Sequence, residues 1–543
     1  MSARHIVAAL AAAVLAGGCA GGSHAVPPRR AAAAAARAHV SFTMHWPARA
    51  QSARRRPSFI SPSAAAVVIE VNPDASTAGP VTFANAPAGG GATTVAVDAP
   101  AGADVFVISL YDQPQAAGET SAAGNELGHV RVAQTIVVNT TNTLSATVIG
   151  TVAAVRIGPL PNQSNVLPVA ASSPPAYELV GRTPAVFTVA PLDADGNVIV
   201  QPDAPPSISL AVNPRAAGLM SVTPVSGATD QFTVQAVAAN ATGYPTSLVA
   251  SATDANGSIA TSSAIVDVTS AVYVAYANSG APAVARFDPH GAALPLPAGA
   301  FAGLSNPVAL AYDADDRTIF VADAGPGKVL AFDEDGAPRT PFTAPSVANV
   351  NGVAYDPHDG NVYASGSSGV TVFAPDGGAP RGGVPASFAA TGASGIAFIA
   401  SAPFQALDDI AVGNAAGPRL DLYSESGAAA GSGALASAPV AVAYGAPLTL
   451  NQSPQTAAQL YVTTASGVVA ADALANAVSA IANAGSPFGI SVDPNTREPL
   501  VAERATNLLT TYLDDLGAID AARSFATPGA LGLTQPQGVC HVF

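Results

Sequence analysis

The chain has 543 residues, of which 49% are hydrophobic and 10% are charged, and its net charge is −15. This length exceeds what one hydrophobic core serves, so we expect several domains. The hydrophobic content excludes a disordered protein, and 50 glycines and 46 prolines interrupt the chain too often for a polytopic membrane protein. Frequent breakers between runs of Val, Thr and Ile predict an all-β fold. The acidic charge argues against nucleic acid as a partner, because affinity for phosphate backbones comes mainly from Lys and Arg.

The N-terminus carries an export signal. An apolar run from Ile6 to Ala16 is too short to span a bilayer, and small residues lead from it to Cys19. This segment resembles a bacterial lipoprotein signal, which implies that residues 1–19 are a signal peptide and that Cys19 is lipidated. Ala16 departs from the family pattern, which has a large aliphatic residue at that position. An ordinary secretory signal that is cut near Ala25 is the alternative.

Both signals predict export, and lipid at Cys19 would anchor the chain in the cell envelope, at the outer membrane or the cell surface. Residues 20–58 are rich in Ala, Arg, Pro and Ser and show no strand pattern, which predicts a disordered tether. Its arginines would either lie on anionic lipid headgroups or belong to a solvated linker. Trp46, the only tryptophan, is a candidate for the membrane interface.

Two sets of short alternating runs follow, at 59–152 and 153–270, and each predicts a β-sandwich. In the second set, hairpin signals such as Asp193-Ala-Asp-Gly-Asn197 separate the runs, and the set resembles the bacterial Ig-like domains of surface proteins. The Asp193 loop also has part of a calcium-loop pattern. A full loop needs a later glutamate and flanking helices, which are missing here, so we interpret it as a turn.

Residues 271–543 repeat one pattern. Its first strand recurs at steps of 43 to 49 residues, which is typical of a propeller blade. The last copy, at 536–543, has no second strand after it, whereas 272–276 is a second strand with no first. We therefore expect these two segments to pair and to close a six-bladed β-propeller. The pattern resembles the NHL-type propellers. The predicted fold class is thus all-β, with two Ig-like β-sandwiches followed by a six-bladed propeller.

The repeat also tests the candidate catalytic residues. Cys540 and His541 have the side chains of a nucleophile and a base, but other copies hold Ala or Ser at the first position and mostly aromatic residues at the second. Adjacent strand residues also point to opposite faces. The acidic turns at 313–316 and 333–336 are candidate cation sites, but equivalent turns lack the full carboxylate set, which favours turn chemistry. We therefore predict no catalytic residue, no metal ligand and no cofactor.

Propeller enzymes of the gluconolactonase kind hold a divalent metal over the central channel with Glu, Asn and Asp from different blades. This resemblance implies a possible divalent cation here, for which the chain offers mouth candidates: Asn306, Asp323, Asn349, Asn351 and Glu503.

The preferred hypothesis is an envelope-anchored binding protein rather than an enzyme, with the propeller as its recognition platform. Its lipid would contact the membrane, and its ligand would be a protein, a glycan or a small molecule. The alternatives are a metal-dependent lactonase or hydrolase on the same scaffold, and a structural component of the envelope. Fold alone does not decide among them.

Overall fold

The structure is a computed structural model in which the prediction of an all-β fold is confirmed. One short 3-10 helix, Pro214–Ala216, accompanies the strands, and the described part contains no α-helix. None of its helices is long and apolar enough to cross a membrane. The signal peptide 1–19 and Cys19 lie outside the described residues. These are 36–46, 61–75, 79–116, 121–170, 172–199, 205–240, 245–277, 283–399, 409–445, 449–450, 453–454, 459–472, 474–482, 485–515, 518–526 and 533–543.

The N-terminal unit, residues 36–152, has two sheets that enclose one core of Val, Ile, Phe and Leu side chains. Its strands are β1 (Arg37–Trp46), β2 (Ala66–Val71), β3 (Val81–Asn85), β4 (Gly91–Pro100), β5 (Gly102–Tyr111), β6 (Glu126–Ile136), β7 (Asn142–Leu144) and β8 (Ile149–Gly150). One sheet has the order β4-β1-β7 and the other β3-β2-β5-β6-β8.

Strand β1 corrects the prediction of a tether over 20–58. Every second residue from Val40 to Trp46 is buried, so the strand is the centre of its sheet and contributes one face to the core. Trp46 is 5% exposed, and its Nε1 donates a hydrogen bond to Thr93 Oγ1 at 3.0 Å. The only tryptophan is therefore a core residue of this unit and not a membrane anchor.

The middle unit, residues 153–270, also has two sheets around one core. Its strands are β9 (Ala154–Pro159), β10 (Val166–Val169), β11 (Ala176–Val180), β12 (Ala185–Leu192), β13 (Ser207–Val212), β14 (Met220–Pro224), β15 (Gln231–Ala236), β16 (Ser247–Thr253) and β17 (Ile259–Thr269). The sheet orders are β10-β11-β17-β16-β13 and β14-β15-β12-β9. Asp193 Oδ1 accepts the backbone N–H groups of Asp195 at 3.0 Å and Asn197 at 2.8 Å, which is turn chemistry.

In the C-terminal ring, residues 271–543, the described strands form six antiparallel sheets of three or four strands and one small hairpin. Sheet 1 contains β18 (Ala271–Tyr276), β19 (Ala283–Phe287), β20 (Ala293–Leu294) and β42 (Pro536–Val542); sheet 2 contains β21 (Pro307–Asp313), β22 (Thr318–Asp323) and β23 (Lys328–Asp333); sheet 3 contains β24 (Gly352–Tyr355), β25 (Val362–Gly366), β26 (Gly369–Phe373) and β27 (Ser387–Phe388).

Sheet 4 contains β28 (Ala393–Ile399), β29 (Asp409–Asn414), β30 (Arg419–Ser424) and β31 (Ala429–Ala434); sheet 5 contains β32 (Pro439–Gly445), β35 (Gln459–Thr464), β36 (Gly467–Asp472) and β37 (Ala477–Ala482); sheet 6 contains β38 (Pro487–Val492), β39 (Pro499–Glu503), β40 (Leu508–Asp515) and β41 (Ala518–Ala526). A small hairpin of β33 (Thr449–Leu450) and β34 (Ser453–Pro454) lies between β32 and β35.

The first strands of the six sheets form a closed circle. Each contacts the first strand on either side, in the order β21, β24, β28, β32, β38, β42 and back to β21. Strand β42 pairs antiparallel with β18, with Val272 opposite His541 and Tyr273 opposite Cys540. The two ends of this region therefore meet in one sheet.

Small residues allow the circle to close tightly. The third position of every first-strand repeat is Gly or Ala. A Cβ atom on Gly395 would lie 2.3 Å from the Cα of Ala441, and one on Gly538 would lie 2.7 Å from the Cα of Ala309. These separations are below contact distance between carbon atoms, so the backbones of neighbouring first strands touch where a larger side chain would keep them apart.

Candidate functional site

The circle of first strands surrounds a narrow central channel. Its cavity has a volume of about 40 Å³, and all six first strands line it. Among its described lining residues, Asn351 alone has a polar side chain. Pockets that bind small molecules have volumes of roughly 300–1,000 Å³. The channel therefore has room for a few water molecules but not for a sugar lactone.

Two mouth candidates, Asp323 and Glu503, are buried and engaged in local hydrogen bonds. The Asp323 carboxylate accepts the backbone N–H groups of Ser305 at 2.8 Å and Asn306 at 2.5 Å. Glu503 accepts hydrogen bonds from two threonine hydroxyls, Thr506 at 2.7 Å and Thr510 at 2.6 Å. Both carboxylates stabilise the chain where a second strand ends.

The asparagine candidates point to separate partners. Asn351 Nδ2 donates to the backbone carbonyl of Ala393 at 3.1 Å, and Asn349 Nδ2 donates to Ser367 Oγ at 3.1 Å. Asn306 contributes its backbone N–H to the carboxylate described above. Within the described ranges, neither acidic candidate belongs to a cluster of three His, Cys, Asp or Glu side chains.

Cys540 and His541 do not form a nucleophile–base pair. Burial raises the pKa of the Cys540 thiol to about 12, and its Sγ donates to the backbone carbonyl of His541 at 3.4 Å. The His541 ring instead contacts Ser491, with Nδ1 3.1 Å from Oγ. A nucleophilic cysteine needs a lowered pKa, and this environment does the opposite.

The acidic turns at 313–316 and 333–336 use their first aspartates to close the turn. Asp313 Oδ1 accepts the N–H groups of Asp315 and Asp316, at 2.9 and 3.2 Å. The Glu334 carboxylate receives two hydrogen bonds from the Arg317 guanidinium and one from the Tyr312 hydroxyl at 2.6 Å. At 333–336 the Arg317 guanidinium thus balances the charge of Glu334, whereas Asp313 Oδ2 of the other turn is buried without a hydrogen-bond partner among the described residues.

The ring has two faces, defined by the direction of the first strands. On the docked face the first strands end, as at Asp313, Asp356 and Asp493, and the turns between third and fourth strands lie beside them. On the free face the first strands begin, next to the turns between second and third strands. The middle unit packs against the docked face.

Phe543 is the apolar centre of this contact. It follows β42 directly, yet its side chain is 4% exposed within the core of the middle unit. The Arg182 guanidinium lies over the ring, 5.2 Å from its centroid, and Arg182 Nη1 donates to the carbonyl of Ala314 in sheet 2 at 2.6 Å. Val180 of the middle unit is buried among side chains of the ring. The two units therefore share apolar cores.

A buried polar network lies beside Phe543. Asp493 Oδ1 accepts hydrogen bonds from Ser270 Oγ at 2.8 Å and from the backbone N–H of Asn495 at 2.9 Å. Asn495 Nδ2 donates to Ser270 Oγ at 2.8 Å, and Asn495 Oδ1 accepts the N–H of Asn240 at 2.7 Å. This network joins the middle unit to sheet 6. Satisfied buried networks of this kind fix one arrangement of the parts they connect.

Sequence reasoning missed a group of three carboxylates on the docked face. Asp356 and Asp359 follow the first strand of sheet 3, and Glu425 lies between the third and fourth strands of sheet 4. One oxygen from each lies within 4.8 Å of the others. Burial, with the charges of Asp359 and Glu425, raises the pKa of Asp356 to about 8. An alignment of equivalent turns could not find this group, because its members come from two different turns of the repeat. Comparing the turn after each first strand with the turn after the third strand of the next sheet could have found it.

No protein-family model matches the chain, and no curated protein matches it. Solved structures similar to it include β-propeller proteins. A chain of a nidogen/laminin complex is 15% identical, with a TM-score of 0.37 over 51% of this chain and 98% of that one. A 6-phosphogluconolactonase candidate from Bacteroides uniformis is 14% identical, with a TM-score of 0.35 over 50% and 99%. The Myceliophteria thermophila Cps50 (Swd1) β-propeller domain is 12% identical, with a TM-score of 0.29 over 40% and 71%. Similarity of this extent does not specify a function.

Proposed function

We propose that this protein is a binding protein of the cell envelope, exported and anchored by lipid at Cys19. Two Ig-like β-sandwiches would carry a six-bladed propeller made of the six sheets of the ring. The docking of the middle unit carries this proposal. Because Phe543 and the Asp493 network occupy one face of the ring, we assign partner binding to the opposite face.

The centre of the free face offers recognition chemistry. Phe488, the second residue of β38, lines the channel and is half-buried, and the Arg504 guanidinium lies 5.3 Å from the centroid of its ring. Asn351 is exposed on the same channel. Aromatic and arginine side chains supply much of the binding energy at protein interfaces. Around them the turns present small side chains such as Ser367 and Ser466, which suits a protein or a glycan better than a small molecule.

The channel supports binding over hydrolysis. The channel of about 40 Å³ has no room for a substrate between the first strands, and the carboxylates of Asp323 and Glu503 at its mouth already accept local hydrogen bonds. A lactonase that used Asp323 or Glu503 as a metal ligand would have to release these carboxylates from their local donors.

The test is a binding screen of the purified protein on glycan arrays and on cell-envelope proteins, followed by titration of each ligand found. We expect Arg504→Ala and Phe488→Ala to weaken binding at least about tenfold, as central contacts do. Asp376→Asn, which changes an exposed turn on the docked face, should bind like the parent. Equal affinity in all three variants would contradict recognition at the free face.

Further measurements distinguish the binding protein from the hydrolase and from the structural component. Turnover of lactones that a chelator abolishes would replace the binding proposal with the hydrolase. Absence of any ligand, together with an envelope defect on deletion, would support the structural component. Incorporation of a labelled fatty acid that Cys19→Ser abolishes is expected for the lipid anchor.

A further inference from the structure

The three missed carboxylates lie at the boundary between sheets 3 and 4, at the part of the docked face that is distant in ring order from sheets 6 and 1. We call Asp356, Asp359 and Glu425 the carboxylate cluster. Asp356 is fully buried, whereas the other two are partly exposed. The cluster is therefore reachable from solvent on one side.

One oxygen of the buried member has no hydrogen-bond donor. Asp356 Oδ1 accepts the N–H groups of His358 at 2.7 Å and Asp359 at 3.4 Å, which closes the turn. Asp356 Oδ2 is buried and accepts no hydrogen bond from any described residue. A buried carboxylate oxygen without a hydrogen-bond donor is costly, so either a proton or a cation is expected there.

The neighbouring side chains do not supply that cation. Asp359 accepts hydrogen bonds from the Tyr363 hydroxyl at 2.8 Å and from the Asn361 side-chain amide at 2.7 Å, both of which are neutral donors. His358 Nδ1 lies 3.4 Å from Glu425 Oε1, but 68% of the His358 side chain is exposed. In sheet 2, by contrast, an arginine pairs directly with a glutamate at the corresponding level of the face.

In the equivalent turn of sheet 6, the carboxylate has neutral hydrogen-bond donors from neighbouring side chains. Asp493 follows its first strand just as Asp356 does, and both precede a proline. Asp493 receives a serine hydroxyl and an asparagine amide, whereas Asp356 faces two carboxylates. The turn sequence is shared, so the turn itself does not require the acidic neighbours of Asp356.

We propose that the carboxylate cluster binds a divalent cation of the calcium type. All three ligands are carboxylate oxygens, the donors that hard cations prefer. Oxygens of a calcium shell lie 2.3–2.6 Å from the ion, so oxygens up to roughly 5 Å apart belong to one shell. The separations within the cluster meet this condition. Backbone carbonyls or water would complete the shell on the partly exposed side.

The test is a calorimetric titration of the full chain with calcium chloride after chelator treatment. We expect one calcium ion per chain, with a Kd of about 10⁻⁵–10⁻³ M, and a rise in Tm on binding. Glu425→Gln and Asp359→Asn should each weaken binding at least about tenfold, because each removes a charged ligand. Asp376→Asn and Asp472→Asn change aspartates of similar turns outside the cluster and should bind as the parent does.

Three results would overturn the proposal. The first is no heat and no Tm change at about 10 mM calcium, well above the weakest Kd expected. The second is binding that survives in both Glu425→Gln and Asp359→Asn. The third is a chain that binds no calcium but becomes more stable in these variants, which would mean that a shared proton satisfies the cluster. Because Glu425 is partly exposed, its variant should fold normally, and circular dichroism checks this.

Discussion

Two turns of the ring begin with the same residues and end in different surroundings. Asp493 lies where the middle unit docks, and Ser270 and Asn495 surround its carboxylate. Asp356 lies where nothing described docks, and it meets carboxylates from its own turn and from the next sheet. The difference shows that the repeat determines the turn, while the neighbours determine which groups surround the aspartate.

The largest expected effect concerns the docked side. Phe543→Ala removes a ring that is buried in the core of the middle unit, and such truncations cost about 3–5 kcal/mol of the free energy of unfolding. Chemical denaturation of the two proteins measures this. Phe342→Ala, at a half-buried phenylalanine, should cost less. Equal costs would mean that docking adds nothing to the stability of the ring.

Asp493→Asn should lower the free energy of unfolding by less than Phe543→Ala does, by about 1–2 kcal/mol, because its charge-assisted hydrogen bonds become neutral ones. Its matched partner is Asp356→Asn, at the same position of the repeat. We expect chemical denaturation with chelator present to show a loss of stability for Asp493→Asn but none for Asp356→Asn. Loss of the same size in both would show that the two turns do not differ as described.

The docked side should also be sensitive to acid. Burial lowers the pKa of His541, and this effect is larger than the opposite effect of the Asp493 charge, which raises the pKa. The unfolded chain then binds a proton more readily than the folded one, so stability is lost as the pH falls below the ordinary histidine pKa of about 6.5. His541→Phe should reduce this slope in denaturation curves taken between about pH 7 and pH 5. An unchanged slope would assign the acid sensitivity to other groups.

The smallest effect is expected for Asp356→Asn in the presence of chelator. The amide keeps an acceptor for the turn and can donate to a neighbouring carboxylate, so the Tm should stay the same or rise slightly. A clear fall in Tm would indicate that Asp356 has a structural partner, as Asp493 has.

The sequence predicts what repetition or alternation encodes. The all-β class follows from breakers and β-branched runs, and the first strands follow from a motif that recurs six times. The same alignment places Cys540 among small packing residues, and its thiol is buried as such residues are. These features depend on residues that are near each other in sequence or equivalent in the repeat.

Features that depend on pairs distant in sequence and not related by the repeat were not predicted, whereas the repeat did predict the distant pairing of β42 with β18. The pattern of β1 is a period-2 alternation, but it lies in an Ala- and Arg-rich segment and its strand partner, β4, is about fifty residues away. The carboxylate cluster combines turns of two successive sheets, and Phe543 packs in a unit that precedes the ring. Each arises from tertiary contacts that no local propensity specifies.

The pairing of β42 with β18 has a consequence for when the chain can fold. The residues that fill the innermost position of the first sheet are made after the rest of the ring, as is the phenylalanine that belongs to the core of the middle unit. Neither part can reach its final form while the ribosome or an export channel still holds residues 536–543. A chain that crosses a membrane from its N-terminus would thus keep these parts unfinished until transport is complete. Final packing of both would then follow as one late event.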